Sequence, residues 1–286
     1  MRTCSFTVLI LVLFAISLMA EGEETKQIAI TFDDLPASNI ATSGEQLRIN
    51  RSILNTLAKY KVRATGFVIT SRLRGKTEIL DLWLKEGHSL GNHTYSHMDF
   101  NEVDTTAFQM DVRRGASEMG ELLKRHEEEL RYFRFPYFHE GDTRQRKESL
   151  REFLKGSDYI IAPVTVHPRD SEFNGLFVKA WGSNDKERQD SIRTAFLEQV
   201  GESTEQAELL STELFGRNVR HVLLLHLNRL SSEVLDQILR YYQQRGYSFV
   251  SLAVALEDSV CSLQEQYVGS EELTWLERLK WSSQKR

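Results

Sequence analysis

The sequence predicts an α/β protein on a mainly parallel sheet of about seven strands, and three observations carry that expectation. Short β-rich runs alternate with longer amphipathic stretches from residue 27 almost to the carboxyl end, the order that parallel α/β architectures produce. Several runs, such as V-L-L-L at 222–225, are apolar without alternation, as in strands covered on both faces. Polar residues able to do chemistry fall just after the runs, at the strand ends where such folds place their sites. Periodicity leaves open whether the sheet closes into a barrel.

Taken in order, the first segment stands apart. Arg2 precedes an apolar run at 5–18, and the small residues of Ala20-Glu21-Gly22 follow, so residues 1–22 read as a signal peptide cleaved after Ala20 or Gly22. The run is shorter than the ~20 residues that span a bilayer, and none like it follows. A secreted or periplasmic protein with no stable membrane span is expected. Cys4 falls in the removed segment, away from any lipid-attachment position, which leaves Cys261 alone and excludes an internal disulfide. A net charge of −5 and the lack of a basic run make nucleic acid an unsuitable partner.

The strands are expected at 27–32, 62–69, 88–92, 131–135, 159–166, 220–227 and 247–252. Between the first two, Leu47, Ile49, Ile53, Leu54 and Leu57 share a helical face. Phe108, Val112, Met119, Leu122 and Leu123 do the same, with an interruption around Gly115. Gly87 and Gly246 follow helical stretches, where a left-handed cap is expected. The four prolines, Pro36, Pro136, Pro163 and Pro168, fall at strand ends or loops. Residues 183–218 are polar and helical, an outer layer and not a second core. With no linker or repeat, 23–286 forms one domain in this reading.

The chemistry begins at I-T-F-D-D-L-P, residues 30–36. Two adjacent carboxylates disfavour each other's ionisation unless a cation or donors compensate. N-H-T-Y-S-H at 92–97 offers a partner: histidines four apart can stack on a helical turn and present two nitrogens to one ion, though two surface histidines would look the same. With a carboxylate from a neighbouring strand they make a zinc set that leaves a position open for water. One aspartate can then bind the ion while the other takes a proton. His226, closing V-L-L-L-H, reads as a satisfied core histidine or as a general acid. Arg134 in R-F-P-Y reads as a surface ion-pair residue or as a partner that orients a catalytic carboxylate.

T-F-D-D, H-T-Y-S-H, R-F-P-Y and L-L-L-H, in that order, resemble the polysaccharide deacetylases that share the NodB homology domain, carbohydrate esterase family 4. The resemblance spans 27–256, including G-Y-S-F-V-S-L-A-V-A-L near the end. It implies a distorted (β/α) barrel of about seven strands, a divalent metal, usually Zn2+, and hydrolysis of N-acetyl groups on amino-sugar glycans such as peptidoglycan or chitin-like oligomers. Carried onto this chain, Asp33 is the general base, and Asp34, His93 and His97 hold the metal. Arg134 pairs with Asp33, the backbone N–H of Tyr137 serves the oxyanion, and His226 protonates the departing amine with Asp170 charging it. Two departures stand out: Leu35 replaces a glycine of the first motif, and Ser171 follows Asp170 where many members carry tryptophan, opening one wall of the sugar pocket.

Among the remaining candidates, His139 and His167 read as exposed loop residues beside a groove. His88, His126 and His221 read as structural, and Trp181, Trp275 and Trp281 as packing residues. Two rival functions are a deformylase or imidase on the same scaffold and a non-catalytic carbohydrate-binding relative. The presence of both Asp33 and His226 weighs against the latter, since a binder needs no acid and base.

Overall fold

The computed structural model describes residues 26–37 and 42–285, so the export segment expected at 1–22 and Cys4 lie outside it. No helix among the described residues is long and apolar enough to cross a membrane. Every expected strand is present, most of them shorter than the apolar runs that announced them. They are β1 (Lys26–Leu35), β2 (Thr65–Val68), β3 (Ser89–Asn92), β4 (Tyr132–Phe133), β5 (Ile160–Ile161), β6 (His221–His226) and β7 (Tyr247–Val250). The 159–166 run supplies only a two-residue strand followed by an isolated bridge at Val166.

All pairings are parallel, in the order β5-β4-β3-β2-β1-β6, with β7 also on β1. Ile28 pairs with both His221 and Phe249, and Thr31 with both Leu224 and Thr65, so β7 and β2 share one edge of β1, one at its start and the other at its end. Beyond β5 the chain returns to β6, where Val166 pairs with Leu223. That bridge closes the sheet into a distorted (β/α) barrel.

The helices are α1 (Ser43–Lys59), α2 (Glu78–Lys85), α3 (Thr105–Arg125), α4 (Arg144–Gly156), α5 (Asp170–Gly182), α6 (Lys186–Phe215), α7 (Arg229–Gln244), α8 (Leu252–Leu256) and α9 (Trp275–Gln284). In α1 the expected face is inward, with Ile49, Ile53, Leu54 and Leu57 buried and Thr42 capping the first turn. Gly87 and Gly246 adopt φ of 77° and 79°, as left-handed caps after α2 and α7.

One expectation is corrected and another refined. The helix from 105 to 125 is continuous through Gly115, whose missing side chain leaves room instead for the loop after β3: a Cβ there would lie 2.8 Å from Asn92 Oδ1. Helix α6 is an outer layer as expected, yet Ile192, Phe196, Val200 and Leu210 enter the main apolar core, so it belongs to the barrel's own packing.

Candidate active site

Adjacent residues of a regular strand point to opposite faces, so Asp33 and Asp34 cannot share a site unless the backbone turns. It does turn: the β1–β2 register shifts between Phe32 and Leu35, and Asp34 adopts φ of 67°. On the other edge of β1, Asp33 is the register partner of His226, and parallel partners project to one side of the sheet. The motif that opens the chain and the motif that closes β6 are thus neighbours at the carboxyl mouth of the barrel.

His93 and His97 are not on a helix. They flank an irregular loop after β3 in which Thr94 and His97 have φ of 66° and 61°. The Thr94 hydroxyl accepts the His97 N–H at 2.9 Å, and Asp111 of α3 accepts the Ser96 N–H at 3.0 Å, turning the loop back on itself. The rings end edge to face with centroids 4.9 Å apart. Spacing of four is realised by side-chain caps on a tight loop, which helical periodicity does not foresee.

These residues fit a small divalent cation. Ligand atoms of Asp34, His93 and His97 all lie within 4.8 Å of one another. Asp34 Oδ1 is 3.4 Å from His97 Nε2 and 3.9 Å from His93 Nε2, close to the ~3.4 Å that separates tetrahedral ligands bonded at about 2.0–2.1 Å. His93 Nδ1–H donates to the Arg134 carbonyl at 2.8 Å, which fixes the tautomer and leaves Nε2 as the bare nitrogen facing the set. Burial pushes both imidazoles down to about 4, so they are neutral donors at ordinary pH. Burial works to raise the Asp34 carboxyl, but His226, Arg72 and the two imidazoles outweigh it and hold it far below its ordinary range.

Arg134 is buried and spans the barrel mouth. Its Nη1 donates to Asp33 Oδ1 at 2.9 Å and to the Thr31 hydroxyl at 2.8 Å. Even so, the loss of water around Asp33 exceeds the pull of Arg134, and its carboxyl is raised. The result is a buried carboxylate oriented by a guanidinium and more basic than a surface one.

Asp170 begins α5 and takes hydrogen bonds from four donors. Its Oδ1 accepts His226 Nδ1–H at 2.7 Å, while Oδ2 accepts the His226 N–H at 2.9 Å, Asn228 Nδ2 at 2.6 Å and the Ser231 hydroxyl at 3.1 Å. Burial alone would lower the His226 imidazole, but Asp170 more than reverses this, with Asp34 and Asp33 adding, and carries it up to about 10. His226 keeps Nε2 for the cavity.

Tyr137 and Phe138 follow β4 with φ of 57° and 56°, a strained pair that sets the Tyr137 ring edge-on to His97 at 4.6 Å. The cavity, of about 280 Å³, is lined by Asp33, Asp34, His93, His97, Tyr137 and His226 and also by Ser171, so small side chains do occur on that wall. Every residue expected at the site except Asp170 and Arg134 faces the cavity, and those two stand directly behind His226 and Asp33.

Some residues escaped sequence reasoning. Arg72, on a single 3-10 turn after β2, forms an ion pair with Asp34 Oδ2 at 2.9 Å and lines the cavity. Asn228 and Ser231 looked like an ordinary helix start, and Asn228 does cap α7, through its Oδ1, while its Nδ2 holds Asp170. His167, expected as an exposed loop residue, is largely covered by the Phe138 ring at 5.2 Å and lines the cavity. His139 pairs with Asp99 at 2.8 Å. His88 accepts the Ala64 N–H, His221 bonds Thr165, His126 bonds Asp81, and Trp275 donates to the Val260 carbonyl, all structural.

Residues 20–151 match the family model described as Polysaccharide deacetylase. A peptidoglycan-N-acetylmuramic acid deacetylase of Bacillus subtilis is 47% identical over 72 residues, 25% of this chain and 14% of that protein. A chitooligosaccharide deacetylase of Rhizobium leguminosarum bv. trifolii is 30% identical over 92 residues, 32% of this chain and 39% of that protein. The matches therefore span well under half the length of these curated relatives. Among solved structures, a Streptococcus mutans CE4 esterase superposes with a TM-score of 0.59 at 22% identity, covering 80% of this chain and 87% of that one, a likeness of fold.

Proposed function

We propose that this chain, whose residues 20–151 match the polysaccharide deacetylase family model, is a metal-dependent hydrolase that removes N-acetyl groups from N-acetylglucosamine-containing glycans such as peptidoglycan or chitin-like oligomers. In this reading residues 23–286 act as one catalytic domain, exported by the segment at 1–22. One observation carries it: a three-donor set lies between a carboxylate paired with arginine and an imidazole paired with carboxylate, all at one end of the barrel. A pure binding protein has no use for that division into base and acid.

Asp34, His93 and His97 would hold the cation. When bound, Zn2+ or a similar ion supplies a Lewis acid for the acetyl carbonyl and makes water easier to deprotonate. The buried Asp33 carboxylate, held in place by Arg134, accepts the proton of the attacking water, and its raised affinity for protons suits that task. The Tyr137 backbone N–H donates to the oxygen on which charge develops. His226, protonated through Asp170, gives its Nε2 proton to the amide nitrogen as the C–N bond breaks, and acetate and a free amine separate.

The test is mass spectrometry of products from N-acetyl, N-formyl and O-acetyl glycans, with and without chelator. Chelator-sensitive loss of N-acetyl groups is the expected result. Preference for the formyl substrates would favour a deformylase, and glycan binding without any acyl loss would leave a binding protein.

A further inference from the structure

We propose that Arg72 is a positioning residue that restricts Asp34 to one coordinating oxygen, which keeps a place on the bound cation for water and the substrate carbonyl. The inference rests on the hydrolase reading and deepens it. A carboxylate has two equivalent oxygens, and beside a divalent cation it can donate one or chelate with both. A cation surrounded by a chelating Asp34, His93 and His97 would already have four donors and no open place, the arrangement of a structural site. What decides between the two modes is whatever occupies the second oxygen.

In this structure the two oxygens are divided. Asp34 Oδ1 faces the imidazoles, 3.4 Å from His97 Nε2, while Oδ2 is ion-paired with Arg72 Nη1 at 2.9 Å. Arg72 is well placed to hold that division. It sits on the 3-10 turn Thr70–Leu73 directly after β2, and the first half of that turn is pinned twice: the Ile69 N–H donates to the Leu35 carbonyl at 3.0 Å and the Ser71 N–H to the Tyr95 carbonyl at 2.9 Å. The turn is therefore tied to the residue after Asp34 and to the loop that carries both histidines. A guanidinium also draws charge from the carboxylate it holds, which leaves the cation a stronger Lewis acid and, by its own positive charge, does not add to its retention. Arg72 thus trades tightness of binding for reactivity.

That trade has a signature that a merely structural residue would not produce. In Arg72→Met, which keeps the length of the side chain and loses its charge and donors, metal affinity by calorimetry is expected to stay level or rise, while kcat falls by about 10- to 100-fold with little change in KM, the size of loss usual when an outer partner of a ligand is removed. Cobalt substituted for the native ion reports the mode directly: the variant's visible bands should weaken relative to wild type as the coordination number rises. Arg72→Lys, retaining one charged donor, should recover most of both kcat and the spectrum. A cobalt spectrum and kcat unchanged in Arg72→Met would overturn the inference, as would weakened metal binding with the spectrum preserved. Failure of the hydrolase reading looks different, since wild-type protein would then release no acetate under any metal.

Discussion

At the scale of single residues, burial acts on Asp33 and His226 in opposite senses, and it prevails at Asp33 but is overcome at His226. Asp33 is raised despite Arg134, and His226 is carried to about 10 by Asp170 against its own burial. His226 is therefore protonated below about pH 10 in the metal-free protein, and activity that needs it as an acid falls as the pH rises through its titration. Replacing Asp170 by Asn removes the main opposing charge, so NMR titration of the imidazole should show its pKa dropping well down, and the alkaline limb of kcat should move to lower pH with it. Asp33→Asn is expected to reduce kcat by about 10²- to 10⁴-fold with metal still bound, whereas His93→Ala loses metal as well; unchanged turnover in Asp33→Asn would remove it as the base. The residues that read clearly in the sequence were those whose types are scarce and whose place was a strand end: two adjacent aspartates, two histidines, an arginine before proline. Arg72 gave no such signal, because a lone arginine in a turn looks like any solvated cation until the fold brings it beside Asp34.

At the scale of elements, the site depends on departures from regular geometry, and those were the least legible part of the chain. Short β-rich runs announced all seven strands, several of them continuously apolar because burial on both faces dictates composition directly. A bulge in β1 and a left-handed loop between two histidines depend instead on hydrogen bonds formed across the fold, among them Ser96 to Asp111, which no local pattern encodes. Gly115 shows the same limit: a break in helical propensity suggested an interruption, whereas the helix runs on and the glycine admits the loop after β3. Gly115→Ala should therefore harm the loop more than the helix. A Cβ 2.8 Å from Asn92 Oδ1 and 3.0 Å from the Thr94 carbonyl carbon forces one element to shift, with an expected cost of about 1–3 kcal/mol in urea unfolding and weaker metal binding by calorimetry. A variant as stable as wild type with undiminished affinity would mean the loop is free to give way.

At the scale of the whole molecule, distant segments meet in a buried ionic cluster under the loop after β4. Glu140 accepts from Arg151 and from Arg278 of α9, Arg151 reaches Glu265 at 2.8 Å, Lys147 pairs with Glu265, and Arg278 also donates to the Phe138 carbonyl. Burial tends to raise Glu140, but Arg151 and Arg278 outweigh it and lower it to about 2. A group depressed in this way contributes stability above its ordinary 4.5 that is lost as the pH falls toward about 2. Arg278→Ala should cost up to about 3–5 kcal/mol near neutral pH, because Glu140 keeps its charge with one partner gone, and the gap from wild type should narrow in acid. Pairing Glu140→Gln with Arg278→Met should return much of the loss in thermal unfolding. Since the same guanidinium grips Phe138, one residue past Tyr137, the tail of the chain works as a latch on the mouth of the barrel. Trimming by a protease at that end is thus expected to abolish the proposed hydrolysis while most of the barrel still stands.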